Sequence, residues 1–166
     1  MNKFKNILIV LFLFVSFNSF AQDNKKGTDV YNWKAKDVNG KVHCLNDFKG
    51  QYIMLDIWAT WCGPCRNEIP HFAKIIKKYK DKKIKFISIS IDSNSMKWKS
   101  FIKNEDEVGS LQLIDVRAKD SPAVRAFQIN GIPRFVIIDP EGKIIEWNAL
   151  RPSNPSLDVM LSKLLK

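Results

Sequence analysis

The chain has 166 residues, a length that suits one domain rather than two. Its 45% hydrophobic and 27% charged content excludes a disordered chain and a multispanning membrane protein, while seven Gly and seven Pro exclude collagen-like and low-complexity architectures. The formal net charge is +10, and three Cys are too few for a disulfide scaffold, so any thiol chemistry needs a local reason.

The N-terminus carries Lys3 and Lys5, then an unbroken apolar run from Ile7 to Val15, then small residues at Ser19 and Ala21. These are the three parts of a secretory signal peptide. The run is well short of the ~20 apolar residues that span a bilayer, so cleavage after Ala21 is expected rather than an uncleaved anchor. The predicted organisation is a signal peptide over residues 1–21, a polar leader over 22–30 and one folded domain over 31–166. The expected location is exported and periplasmic, where nucleic acid is not an expected partner. The basic charge concentrates in Lys74, Lys77, Lys78, Lys80, Lys82, Lys83 and Lys85. It reads as a solvated helix face and turn, with steering toward an anionic membrane or acidic partner as the alternative.

In chain order, Tyr31 to Val38 and Lys41 to Leu45 flank Asn39-Gly40, a strong hairpin signal. Gln51 to Trp58 is a near-continuous apolar run, as expected of a central strand covered on both faces. Arg66 to Lys80 predicts a helix with Ile69, Phe72, Ala73 and Ile76 on one face, and Pro70 inside it. Ile84 to Ile91 is the next strand. Ser95 to about Glu107 is helical, with Met96, Trp98, Phe101 and Ile102 available to pack inward. Leu111 to Ile114 is a short strand, and Ser121-Pro122 opens a short helix through Phe127. Arg134 to Ile138 is a strand, Asp139 to Gly142 a turn, and Lys143 to Trp147 its antiparallel partner. Leu157 to Leu165 closes the chain as an amphipathic helix. This alternation predicts one α/β domain with a partly parallel sheet.

Cys62-Gly63-Pro64-Cys65 falls between a predicted buried strand and a helix. There, free N–H groups and the helix dipole favour a thiolate at Cys62. Cys62, exposed and acidified, would attack a substrate disulfide, and Cys65, covered one turn further on, would resolve the mixed disulfide. A permanent disulfide is the first alternative, although so small a loop makes a poor staple. Half a zinc site is the second, but Cys44, His43 and His71 offer no second ligand spacing. No metal and no cofactor is expected. Asp56 interrupts the apolar run, where desolvation would raise its pKa and suit it to accept the Cys65 proton. Glu68 stands three residues after Cys65, on the same helix face. The alternatives are a strand-end carboxylate reaching solvent at Asp56 and an exposed first-turn acid at Glu68. Cys44 reads as a buried small side chain, or else as half of a regulatory disulfide.

The run Asp56-Ile57-Trp58-Ala59-Thr60-Trp61-Cys62-Gly63-Pro64-Cys65 resembles the active site of the thioredoxin superfamily. Together with Asp47-Phe48-Lys49-Gly50, Arg66-Asn67-Glu68-Ile69-Pro70 and Gly131-Ile132-Pro133-Arg134-Phe135, it is similar to TlpA/ResA-type exported thiol-disulfide oxidoreductases. The resemblance implies a thioredoxin-like fold, a central mixed sheet flanked by helices, with an added N-terminal β-hairpin. It implies dithiol/disulfide exchange at Cys62 and Cys65. It matches Asp56 to an Asp of thioredoxin and Glu68 to an acid of the TlpA/ResA pattern. Ile132–Pro133 corresponds to a cis-proline loop facing the cysteines, where the backbone of Ile132 would pair with an extended substrate. Substrate contacts are thus expected from Trp61, Gly63, Pro64, Ile132, Pro133 and Arg134, with Trp58 packed in the core.

Gly63-Pro64 is the dipeptide of reducing thioredoxins, and no His beside Cys62 suggests the extreme acidification of strong oxidants. The expected function is reduction of protein disulfides, with apocytochrome c as a family-typical substrate and a membrane electron donor. The alternatives are a disulfide oxidase or isomerase, a peroxidase, and a non-catalytic binding module that keeps the fold.

Overall fold

The computed structural model describes residues 33–103, 109–117, 120, 124–125 and 127–166. The predicted signal peptide, the polar leader and Tyr31 lie outside the described residues, as does most of the predicted Ser121–Phe127 helix.

The chain begins with a hairpin of β1 (Lys34–Asp37) and β2 (Val42–Cys44). Asp37 shapes its turn: the side chain accepts the backbone N–H of Asn39 and of Lys41 at 2.9 Å each. Gly40 sits at φ +84°, a conformation that L side chains rarely adopt. A 3-10 turn (Leu45–Phe48) leads to β3 (Tyr52–Trp58), buried from Ile53 to Trp58. Helix α1 (Gly63–Tyr79), β4 (Ile84–Ser90), α2 (Ser95–Lys103) and β5 (Leu111–Ile114) follow. Strands β6 (Arg134–Ile138) and β7 (Ile144–Glu146) and helix α3 (Pro155–Leu164) complete the fold.

One seven-stranded sheet runs in the order β2-β1-β5-β4-β3-β6-β7. The three central strands β5, β4 and β3 are parallel, and the outer pairings are antiparallel. The hairpin is therefore part of the sheet, joined through β1 to β5, with Lys36 opposite Ile114. Alternation along the strands splits the core in two. Ile53, Leu55, Ile57, Ile87, Ile89 and Val136 pack on one face. Met54, Phe86, Phe135 and Ile137 pack on the other, beneath Phe72, Ile75 and Ile76 of α1 and Leu157 and Leu161 of α3. The site lies where β3 ends and α1 begins, the carboxyl edge of the parallel strands at which α/β sheets place their ligands.

Three sequence expectations shift. Helix α1 starts at Gly63 instead of Arg66, because Cys62 caps it and Pro64 fits its first turn. Its buried face is Cys65, Glu68, Phe72, Ile75, Ile76 and Tyr79, with Ile69 and Ala73 at the margin. In α2, Trp98 is fully buried but Met96 is 79% exposed. Met96 precedes Trp98 by two residues, about 200° around a helix that turns about 100° per residue, so the two cannot share a face. Helix α3 begins two residues early, since the Asn154 side chain accepts the Ser156 N–H and Pro155 fits the first turn.

Candidate active site

The short link Ala59–Trp61 joins the end of β3 to α1, and its conformation is held from below. Asp92, 3% exposed just after β4, accepts the Thr60 N–H at 2.9 Å and the Thr60 hydroxyl at 2.8 Å. Its Oδ2 also takes the Ser90 hydroxyl at 2.7 Å. The buried carboxylate is thus satisfied by three donors, and the residue two before Cys62 is fixed in place.

Cys62 and Cys65 form a disulfide with their Cα atoms 5.2 Å apart. Cys62 is the N-cap of α1, and its sulfur accepts the Cys65 N–H at 3.2 Å. That N–H is one of the donors a helix start leaves unpaired, and it stabilises negative charge on the Cys62 sulfur after reduction. The space beside Gly63 is open, with no atom within 4 Å of where a side chain would begin. Cys62 is less accessible than expected, 5% exposed against 3% for Cys65. The N-cap turns its sulfur inward to Cys65, into a cluster that includes Trp58, Ala59 and, at its edge, Ile132. Trp61 stands 65% exposed beside the pair, while Trp58 is buried in the core.

Of the two carboxyls suggested by the sequence, Asp56 lies on β3 and Glu68 within the first turns of α1. Asp56 is 7% exposed in the middle of the sheet, and burial pushes its carboxyl up to about 8. A hydrogen bond from Ser88 opposes the rise and the negative charge of Glu68 adds to it. Glu68 is also 7% exposed, one turn beyond Cys65. It accepts the Ser153 N–H at 2.9 Å and the Ser153 hydroxyl at 2.8 Å, tying α1 to the loop that precedes α3. Neither residue is the solvent-facing acid of the bland alternative.

The Ile132–Pro133 peptide is cis. Pro133 borders an open groove of about 390 Å³ shared with Asn148, Leu150, Arg151 and Ser153. Arg134 reaches the Trp147 carbonyl at 3.3 Å and the Asn130 side chain, so its guanidinium is held against the neighbouring loops. Cys44 is half-buried, and its thiol and N–H both bond Asp47 as part of the 3-10 turn. That departs from a buried apolar Cys44, because the polar turn beside it supplies an acceptor. His43 meets Asp37 at 3.0 Å within the hairpin, and His71 is exposed on α1. Among the described residues no three His, Cys, Asp or Glu side chains gather as a metal site would require. Sequence reasoning missed Asp92 and Ser153. Asp92 had a readable signal, an acid directly after an apolar strand.

The AhpC/TSA family model matches residues 27–147. The chain belongs to the AhpC/TSA family. Within it, the chain is 28% identical over 166 residues to the thiol-disulfide oxidoreductase ResA of Bacillus cereus, covering 95% of this chain and 94% of that one. The thioredoxin domain of a thiol-disulfide oxidoreductase from Bacteroides vulgatus is 31% identical, with a TM-score of 0.71 over 80% of this chain and 92% of the other. A solution structure from the same organism, provisionally named a thiol-disulfide oxidoreductase, is 42% identical at a TM-score of 0.71, covering 80% and 86% of the two chains. The fold is thioredoxin-like, and this AhpC/TSA member is a thiol-disulfide oxidoreductase of the ResA type with its C-x-x-C pair joined as a disulfide.

The buried Asp56 makes stability depend on pH in a defined direction. Between the ordinary carboxylate range and about 8, the folded chain keeps Asp56 protonated while the unfolded chain ionises it. Folding is therefore weakened as pH rises through that window, by up to about 1.4 kcal/mol per pH unit. Asp56→Asn should gain stability over the parent progressively from pH 5 to pH 8 in denaturant titrations. A difference that stays constant across that range would show that burial does not shift this carboxyl.

Proposed function

We propose that the protein is exported, by cleavage of residues 1–21 after Ala21, and works in the periplasm as a reductase of protein disulfides. The observation that carries the reading is the position of Cys62 as the cap of α1, above a buried carboxyl on β3. In the reduced protein the Cys62 thiolate attacks a substrate disulfide, forming a mixed disulfide and releasing one substrate sulfur as a thiolate, which takes up a proton. The Cys65 thiol then gives its proton to Asp56, and its sulfur attacks Cys62. The second substrate sulfur leaves, the Cys62–Cys65 disulfide forms, and two electrons have passed to the substrate.

Asp56 suits the acceptor role because its pKa near 8 lies close to that of a thiol. Glu68 raises that value by its charge and, through Ser153, fixes the loop that borders Pro133. An extended substrate segment pairs with the backbone of Ile132 beside Pro133 and passes over Trp61, Gly63 and Pro64, with Arg134 at the margin. The reducing direction rests on the uncharged Gly63-Pro64 pair, which adds no cation to acidify Cys62 beyond the helix N-terminus. Recharging then needs a membrane donor of the thiol-reductase type, and apocytochrome c is a substrate of the matching kind. No helix among the described residues is long and apolar enough to cross a membrane.

Disulfide reduction of insulin should be lost in Cys62→Ser, whereas Cys65→Ser should accumulate a mixed disulfide with the substrate. Activity that survives Cys62→Ser would remove this site from the reaction. In native cells, acid quench and thiol alkylation should find the pair mostly reduced; a mostly oxidised pair would reverse the proposed direction. The intact mass of exported protein should start at Gln22, and a chain still starting at Met1 would refute cleavage.

A further inference from the structure

A row of polar side chains crosses the sheet from β3 to β5, beneath α1 and α2. Asp56 on β3 stands opposite Ser88 on β4, and Ser88 stands opposite Gln112 on β5. Ser88, which is 1% exposed, is thus the hydroxyl beside the Asp56 carboxyl, and its polarity opposes the rise that burial imposes there. The Ser88 hydroxyl meets the Ser110 hydroxyl at 2.9 Å, and Gln112 Nε2 donates to Ser110 Oγ at 2.8 Å. Ser110, next to the start of β5, is half-buried and leads toward the surface. Gly109, just before it, has φ +65°, and a side chain there would crowd Ile76 of α1 at 3.0 Å.

A second observation concerns the space beside the row. A cavity of about 10 Å³ is lined by Asp56, Trp58, Ser88 and Gln112, with apolar walls from α1 and α2. Trp58 and Gln112 each carry a buried polar atom, Nε1 and Oε1, that meets no protein partner among the described residues. A volume on that scale, with a donor, an acceptor and a carboxyl around it, suits about one water.

We propose that Ser88 and Ser110 are the proton path between Asp56 and solvent, with Gln112 holding Ser110 in register. The inference rests on Asp56 as the proton acceptor of Cys65. While Asp56 is ionised, Ser110 donates to Ser88 and Ser88 donates to the carboxylate. Once Asp56 takes the Cys65 proton, the order reverses: Asp56 donates to Ser88, Ser88 to Ser110, and Ser110 to water. Each hydroxyl gains one proton and loses one, so only the carboxyl and the solvent change. Gln112 occupies one acceptor site of Ser110 in both states and leaves its hydroxyl hydrogen free to turn. Glu68 is the charged group that bears on Asp56, and the cavity walls from α1 and α2 (Ile69, Phe101 and Ile102) are uncharged. Ser88, Ser110 and Gln112 touch neither sulfur by this reading and are positioning residues.

The test is the rate at which Cys65 resolves a preformed mixed disulfide on Cys62, followed from pH 6 to pH 9 in H₂O and D₂O by stopped flow. Ser110→Ala should slow resolution about three- to tenfold below pH 8 and enlarge the solvent isotope effect, and Ser110→Thr should restore both. Ser88→Ala should act likewise, and neither alanine should slow the reaction further in an Asp56→Asn background. Wild-type rates and isotope effects in Ser110→Ala and Ser88→Ala, with Asp56→Asn still slow, would overturn the path and leave Asp56 in place. A wild-type rate in Asp56→Asn would overturn both.

Discussion

An acidic side chain under an apolar sheet face is the constraint around which this protein is arranged. Asp56 interrupts a strand that is otherwise built for burial, and a charge there is costly without partners. The protein's response is specific: one hydroxyl bond from Ser88, a second carboxyl at Glu68 that adds repulsion, and a closed surround. The result is a carboxyl that takes and releases its proton near the pH at which thiols do. The disulfide depends on the same strand, because β3 delivers Asp56 and leads, through the short link Ala59–Trp61, to the cap of α1.

The supports of the site come from different elements and do different work. Asp92 fixes the link before the cysteines, using donors from Thr60 and Ser90. Glu68 fixes the loop after β7 through Ser153, and that loop shares a groove with Pro133. Cys44 and His43 spend their polar atoms on Asp47 and Asp37, within the hairpin and the turn after it, well apart in sequence from the reacting pair. The cysteine pair thus sits on a rigid frame, as sulfur exchange requires when one sulfur must move to another within a single turn.

Much of this was legible beforehand, because the signals were local. An apolar run, a C-x-x-C and a helix-period pattern sit next to one another between Tyr52 and Tyr79, so strand, cap and helix could be placed without tertiary information. The helix phase is less legible. Pro64 and Cys62 together start α1 earlier than apolar spacing suggested, and the buried stripe turns toward Cys65 and Glu68. The inward set of Cys62 was also hidden, since exposure depends on which way a cap faces. Asp92 and Ser153 act across 32 and 85 residues of chain, and no local pattern announces such partners. The polar row from Asp56 through Ser88 to Gln112 appears only when strand register is known.

The sheet ends in β2 on one side and β7 on the other, each only three residues long. Its long strands, β3 and β4, lie inside with neighbours on both sides. A sheet edge is a template for further strands, and a short edge offers few hydrogen bonds to a passing chain. An oxidoreductase that handles the disulfides of other proteins meets extended segments in its ordinary work. Its own margins give those segments little to zip onto, so contact can be confined to the cysteine end and brief elsewhere.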